Sequence, residues 1–442
     1  MQEFRSMAVL KYKKDINETV SQEYVLRHQY HAIDWDMYYY RNGAFGDYYP
    51  NSVNEYLKTG AQDIFTRAQY SFNLANNAKL LAAAEYTALF YSGDKEHYSN
   101  TDLIETFEPY PNNQQQTLGS WLEYIDGKAV NNLASFVQFS SGTMFGDFFK
   151  VTAGLRYDTE FFNYTDINDG NKEKSKNFNE LSPRLVLIFI PSEKFTIKLI
   201  GGKAFRAPTP TELFGSNTWT LASNLNQLEP ERIQTAELAL DYQINNNLVV
   251  RLNGFYNKSE GQIAYSISNF NLSTNIYDLT NLGTETEIIY TSKSFLAFAN
   301  MSYAQRISED IYSAEQAYIS VHDDMITWAP ALTANFGLSY LVKGFSASVL
   351  GHYQGEVKRR DLDIYTAAEI ADMGLTESPR PDVIENWFSI DAKLSYKIKS
   401  FEIGVSATNI LDTENYLAKN LKYPFDYRMQ GRRIMLNTII SF

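Results

Sequence analysis

Chemistry needs donors, acceptors or nucleophiles at spacings that let them converge, and few combinations in this chain do so. The five histidines are His28, His31, His97, His322 and His352; they form no HExxH, and none has an acid or a second histidine at a ligand spacing that stands out. His28 and His31 share one expected strand and read as surface or interior-lining residues rather than a metal pair. The loop DINDGN, Asp166 to Asn171, does not fit the D-x-[DN]-x-[DN]-G calcium frame, and Asn-Asp-Gly turn chemistry explains it. GSNTWTLASNLNQ, GTMFGDFF and GGKAF lack the Gly-Lys-Ser/Thr of a phosphate cradle. No catalytic residue, metal site or cofactor is therefore expected, and what remains is recognition. Tyr110, Trp121, Tyr124, Trp219 and Trp328 lie in polar segments, where flat apolar rings with polar tips suit chelates and sugars alike. Arg156, Arg206, Glu237, Arg251, Glu285, Glu287, Asp391 and Lys393 form a second group, set in alternating runs.

Composition narrows the classes. The chain has 442 residues, 44% hydrophobic and 21% charged, enough apolar material for a sizeable fold. With 39 basic and 52 acidic residues its net charge of -13 opposes attraction to phosphate backbones, so nucleic acid is not an expected partner. The absence of cysteine excludes a disulfide framework and cysteine-based zinc, and leaves the redox compartment open. No window reaches the 18 or so apolar residues of a spanning helix. MQEFRSMAVLKYKK has no apolar h-region of a signal peptide. A transmembrane β-barrel shows no such run either, because its lipid-facing and lumen-facing residues alternate.

Period-two alternation is what positions the candidate residues. In NWFSIDAKLSYKI, Phe388, Ile390, Ala392, Leu394, Tyr396 and Ile398 oppose Ser389, Asp391, Lys393, Ser395 and Lys397. KVTAGLRYD, LTANFGLSY and KLLAAAEYTALF repeat the pattern, and about 17 such runs occur, most of 9 to 13 residues. That length suits a tilted membrane-crossing strand better than the roughly five or six residues of a globular one. Short turns are expected near NLANNAKL, SSGTMFGDFF, PSEKF, YQINNNL, YTSKSF, YLVKGF and YKIKSF. Between them lie long polar segments at about 41–63, 93–129, 160–182, 207–230, 259–282, 306–331, 356–385 and 410–429. Short turns at one end and long loops at the other are the asymmetry of an outer-membrane barrel. Tyr242, Tyr256, Tyr290, Tyr303, Tyr340, Tyr353 and Tyr396 stand at strand ends, as a headgroup-level girdle requires. The final run RRIMLNTIISF ends on Phe442, and a last strand ending on an aromatic is similar to the assembly signal of bacterial outer-membrane proteins.

The segment SPRLVLIFIPSEKFTIKLIGGKAFRAPTPTELF, residues 182–214, closely resembles the barrel region of TonB-dependent receptors. The resemblance continues through LEPERIQTAELALDY, NGFYNKSEGQI, ATNILDTENY and GRRIMLNTIISF, with GLRYD and LLAAAEY upstream, over roughly residues 64–442. It implies an all-β fold, a transmembrane antiparallel β-barrel of about 22 strands filled by an N-terminal plug. About 17 strands and no plug-like segment before residue 64 make residues 1–442 a single, truncated barrel domain, with its first residue outside the cell. The family further implies import of a small nutrient ligand (a ferric siderophore first, then haem, cobalamin or a glycan), energised by the TonB system through a plug not present in this chain. It also implies outer-membrane lipid as surroundings and the outer membrane of a Gram-negative bacterium as location. In that setting the charged group from Arg156 to Lys393 faces the lumen and the plug, since a basic residue on the lipid side costs about 2–4 kcal/mol at the midplane. The five loop aromatics then become ligand contacts. A passive porin, a non-transporting receptor fragment and a soluble β-propeller are the rivals. A propeller needs four short strands per period of about 50 residues, against about two long ones here.

Overall fold

The computed structural model describes residues 2–43, 53–93, 97–98, 121–145, 147–214, 225, 227–266, 272–312, 329–359, 365–378, 380–418 and 426–441. Strands dominate: β1 (Gln2–Asp15), β2 (Val20–Tyr40), β3 (Val53–Asn73), β4 (Lys79–Gly93), β5 (His97–Tyr98), β6 (Ala129–Ser140), β7 (Phe149–Asp166), β8 (Lys172–Ser192), β9 (Phe195–Arg206), β10 (Glu231–Gln243) and β11 (Leu248–Ser266). They continue with β12 (Leu272–Thr291), β13 (Phe295–Ile311), β14 (Leu332–Val342), β15 (Phe345–Gln354), β16 (Val357–Lys358), β17 (Val383–Ile384), β18 (Trp387–Ile398), β19 (Phe401–Thr408), β20 (Tyr416–Leu417), β21 (Tyr427–Arg428) and β22 (Arg433–Ile440). Eighteen join one sheet, while β16–β17 and β20–β21 form two-stranded ribbons. Setting aside five strands of two residues leaves seventeen among the described residues, in line with the roughly 17 that the periodicity predicts. No helix among the described residues is long and apolar enough to cross a membrane.

Two compact units share the chain: 1–186 with 202–234 and 259–278, and 187–201 with 235–258 and 279–442. In the first, β1–β2, β2–β3, β3–β4, β4–β6 and β6–β7 are antiparallel ladders. In the second, β13–β14, β14–β15, β15–β18, β18–β19 and β19–β22 repeat the meander. The expected short turns are all present, and their chemistry is local. Asn76 and Asn77 take φ of 58° and 59°, and Lys343–Gly344 closes β14 on β15 in two residues with φ of 46° and 85°.

The expected polar connections differ from the structure in extent. Much of 41–63, 160–182 and 259–282 is strand, since β3 starts at Val53, β7 runs to Asp166, β8 starts at Lys172, β11 runs to Ser266 and β12 starts at Leu272. Extensions such as KEKSKNFNEL carry polar residues on both faces, so the apolar period ends before the hydrogen-bonded ladder does.

Within each unit, directly paired residues share a face, which sorts the side chains. Leu10, Leu26, Thr66, Tyr86 and Leu133 form one cross-strand row, and Lys11, Val25, Arg67, Glu85, Ala134 and Asp158 the neighbouring row on the opposite face. The first face is apolar and exposed, with Leu155 and Tyr157 open, and in the second unit the same alternation leaves Phe336, Leu338, Tyr340, Leu394, Tyr396 and Ile398 open. The second carries the charges.

Candidate functional site

On the polar face of the first unit, ion pairs run continuously from β1 to β7. Lys11 Nζ lies 2.7 Å from Glu23, Arg67 joins Glu23 at 2.8 Å to Glu85 at 3.9 Å, and Arg156 binds Glu85 at 2.7 Å. Arg156 also donates from Nε and Nη2 to the two oxygens of Asp158, at 2.8 and 2.9 Å, and sits 5.5 Å from the Phe136 ring centroid. Three cations thus alternate with three carboxylates across the sheet, so each charge is compensated on the face where it is partly removed from water.

At the far end of β9 the guanidinium of Arg206 is held by two acids. Nε and Nη2 each donate to Glu231 at 2.7 Å, while Nη1 and Nη2 donate to Glu212 at 2.9 and 3.0 Å. Glu212 also accepts from the Thr209 backbone N–H at 2.7 Å, and its own N–H donates to Thr209 Oγ1 at 3.4 Å. That capping box, with Pro210 in the first turn, is why the short segment Pro210–Phe214 turns helical. Glu231 additionally accepts from the Ile263 N–H at 2.7 Å.

The helix ends in Leu213 and Phe214, both fully buried. A second short helix, Trp121–Ile125, brings Tyr124 onto Phe214 with ring centroids 4.7 Å apart and 18° between planes. Phe214 meets Phe162 at 6.0 Å and Tyr164 at 5.4 Å, residues on the same face of β7 as Arg156 and Asp158. Phe178, Leu225 and Leu228 complete this core. Burial pushes the Tyr124 phenol up to about 12.

In the second unit the polar face repeats the logic. Lys198 lies 2.5 Å from Asp241, Arg251 3.5 Å from Asp241 and 2.6 Å from Glu287. Farther along, Asn335 donates to Asn300 at 2.9 Å and shares a 2.6 Å hydrogen bond with His352 Nδ1. ATNILDTENY folds into a clamp. The Asn409 side chain donates to Thr413 O at 2.8 Å and accepts from the Thr413 N–H at 3.2 Å, and Asp412 Oδ1 accepts from the Arg432 N–H at 2.8 Å.

Of the expected wall residues, Arg251 and Glu287 are brought together. Arg156 and Arg206 find acids that the sequence reading had not paired with them, and Glu237 accepts weakly from Asn253 at 3.4 Å. Asp391 accepts from the Asn409 N–H at 2.8 Å, so it fixes the start of the clamp; Glu285 and Lys393 are exposed. Tyr124 is buried in the aromatic core and offers no open ring. Trp121 opens its helix, its side chain outside the described residues, as are Tyr110, Trp219 and Trp328. Glu23, Arg67, Glu85, Glu212, Glu231 and Asp241 were missed, because strand parity gives the face of each residue and only register gives its partner. His28 and His31 fall on opposite faces, by their pairing with Ile64 and Ala61, and therefore form no metal pair. Asp166 and Asp169 are each 2.8 Å from Lys174, and Lys172 is 2.8 Å from Asp169, so cations already neutralise the DINDGN loop. No cluster of three or more metal-ligating side chains occurs among the described residues.

A family model, TonB dependent receptor-like, beta-barrel, matches residues 6–410. Its match begins well before residue 64, where the resemblance read from the sequence begins. Solved structures agree on the fold. The copper transporter OprC is 15% identical with a TM-score of 0.70, covering 99% of this chain and 66% of its own. The ferric-catecholate import receptor Fiu from E. coli K12 is 11% identical with a TM-score of 0.69, covering 100% and 64%. The ferric yersiniabactin uptake receptor FyuA from Yersinia pestis is 10% identical with a TM-score of 0.63, covering 100% and 61%. No protein of curated function matches by sequence. The fold is an all-β antiparallel meander with one apolar and one ion-paired face in each unit. The chain belongs to the TonB-dependent receptor β-barrel family. It spans no more than 66% of the length of these three relatives.

Proposed function

We propose that this chain is the barrel portion of a TonB-dependent receptor in the outer membrane of a Gram-negative bacterium, importing a ferric siderophore. The observation that carries the reading is the Arg206–Glu231–Glu212 clamp, which joins the AFRAPT and LEPE segments of the family resemblance. Support for iron comes from the neighbours Fiu and FyuA, whose names specify ferric ligands, while OprC names copper. Arg156, Arg206, Glu237, Arg251, Glu285, Glu287, Asp391 and Lys393 face the lumen in this reading and meet a plug that couples to TonB. Tyr110, Trp121, Trp219 and Trp328 remain the ligand contacts of this reading, whereas Tyr124 is committed to the buried aromatic core. The protein acts as a receptor and performs no catalysis.

Deletion of the gene, with growth scored on single iron and copper sources in strains with and without TonB, tests this. Loss of growth on at least one ferric siderophore, reproduced by loss of TonB, is the expected result. A defect confined to copper, or a TonB-independent ion conductance in planar bilayers, overturns the substrate or the transport class respectively.

A further inference from the structure

The apolar face of β1–β6 is not evenly filled. Thr66, Ala68 and Ala84 occupy the middle strands of two adjacent cross-strand rows, where the equivalent face of β14 and β18 carries Phe336, Leu338, Tyr340 and Leu394. Larger side chains bound this floor: Leu10, Tyr12, Tyr24 and Leu26 on one side, Tyr86 and Leu133 on the other. The result is a trough of about 460 Å³, within the roughly 300–1,000 Å³ of single-ligand sites. Its end nearest the short turns is polar. The hydroxyls of Tyr24 and Tyr70 are 2.7 Å apart, and Tyr24 lies 3.4 Å from Gln22 Oε1.

Gln22 pairs with Lys14, which places the lysine on the same face in the next row. Lys14 is exposed and makes no ion pair among the described residues, whereas Lys11 on the opposite face is paired with Glu23. An apolar trough that reaches the Tyr24 phenol, with the Tyr70 phenol, the Gln22 amide and one uncompensated ammonium in the cross-strand row beyond it, has the polarity of a lipid with a phosphate head. The short-turn end is the periplasmic side of a barrel of this kind, where the leaflet is glycerophospholipid rather than lipopolysaccharide.

We propose that this trough holds one glycerophospholipid, an acyl chain lying over Thr66, Ala68 and Ala84 and the phosphate against Lys14 and the Tyr24–Tyr70 hydroxyls. The proposal rests on the outer-membrane reading above. Native mass spectrometry of the protein extracted in mild detergent from its own outer membrane tests it, with four proteins compared: wild type, Ala84→Trp, Lys14→Ala and Ala392→Trp. Ala392→Trp places the same bulk on the apolar face of β18, a strand that does not line the trough.

Wild type and Ala392→Trp are expected to retain a single phosphorus-containing lipid through detergent exchange. Ala84→Trp loses it, and Lys14→Ala loses it at lower activation energy. Retention equal in all four, retention in none, or a lipid-free dimer that uses this face overturns the trough. Absence of the wild-type protein from the outer-membrane fraction overturns the membrane reading itself, which separates the two failures.

Discussion

Arg206 engages two carboxylates with all three guanidinium nitrogens, a geometry that a point charge cannot reproduce. Arg206→Lys is therefore expected to destabilise the folded protein almost as much as Arg206→Ala. The guanidinium is half-exposed, so solvent screens part of the gain, and a loss of about 1–2 kcal/mol is expected, read from denaturant midpoints in detergent. A lysine variant with the wild-type midpoint would show that charge alone suffices. Tyr124 gives a prediction in pH. Its folded phenol is pushed up to about 12 by burial, against an ordinary value near 10, so the neutral form is favoured in the folded state. The stabilisation is complete below about pH 10 and is lost as pH rises towards about 12. Spectrophotometric titration of the folded protein should show a phenolate step near pH 12 that Tyr124→Phe removes. A difference titration with its step near 10 contradicts the burial.

At the scale of strands, side-chain complementarity fixes register where the alternation cannot. A Cβ on Gly337 would lie 2.1 Å from the Phe298 ring, so the Phe298 side chain lies across the bare backbone of its partner residue on β14. Gly337→Val is expected to destabilise the β13–β14 ladder by about 1–3 kcal/mol through overpacking, and Phe298→Ala in the same chain to restore much of it. Thermal unfolding of the single and double variants checks this; additive losses would mean that the ring and the glycine do not compete for space. Such pairs mark the limit of what the chain shows unaided. Alternation placed Leu394 and Lys393 on opposite faces, and Asn and Lys-Gly turn chemistry located the hairpins. The partners of Arg156 and Arg206 depend on which strands lie side by side and in what register. The strand extension from Lys172 escaped because both its faces carry polar residues, and Tyr124 looked like a ligand ring because nothing in its local sequence announces Phe214.

For the molecule as a whole, the contrast between its two faces is the property that decides where it can reside. Phe295 and Tyr303 on β13, Phe345 and Tyr353 on β15, and Phe388 and Tyr396 on β18 share the apolar face at equal separations along their strands. At about 3.3 Å per residue and a tilt of about 35–45°, each pair brackets roughly 20 Å of height, close to the apolar band of an outer-membrane barrel. Ala392 sits midway between Phe388 and Tyr396, Leu394 nearer the Tyr396 level, and Lys393 on the opposite face, paired with Ser348 and Ser406. If lipid covers the apolar face, the penalty for a charge there must follow depth. Ala392→Arg should cost about 2–4 kcal/mol, Leu394→Arg about 1–3 kcal/mol, and Lys393→Leu little, since it moves no charge into lipid. The yield of heat-modifiable, folded protein in the outer membrane should be lowest for Ala392→Arg, intermediate for Leu394→Arg and near wild type for Lys393→Leu. A face that met water or another protein would show no dependence on distance from the aromatic rows, so equal yields for the two arginine variants, or a Lys393→Leu defect matching either, would contradict lipid as the partner of this face.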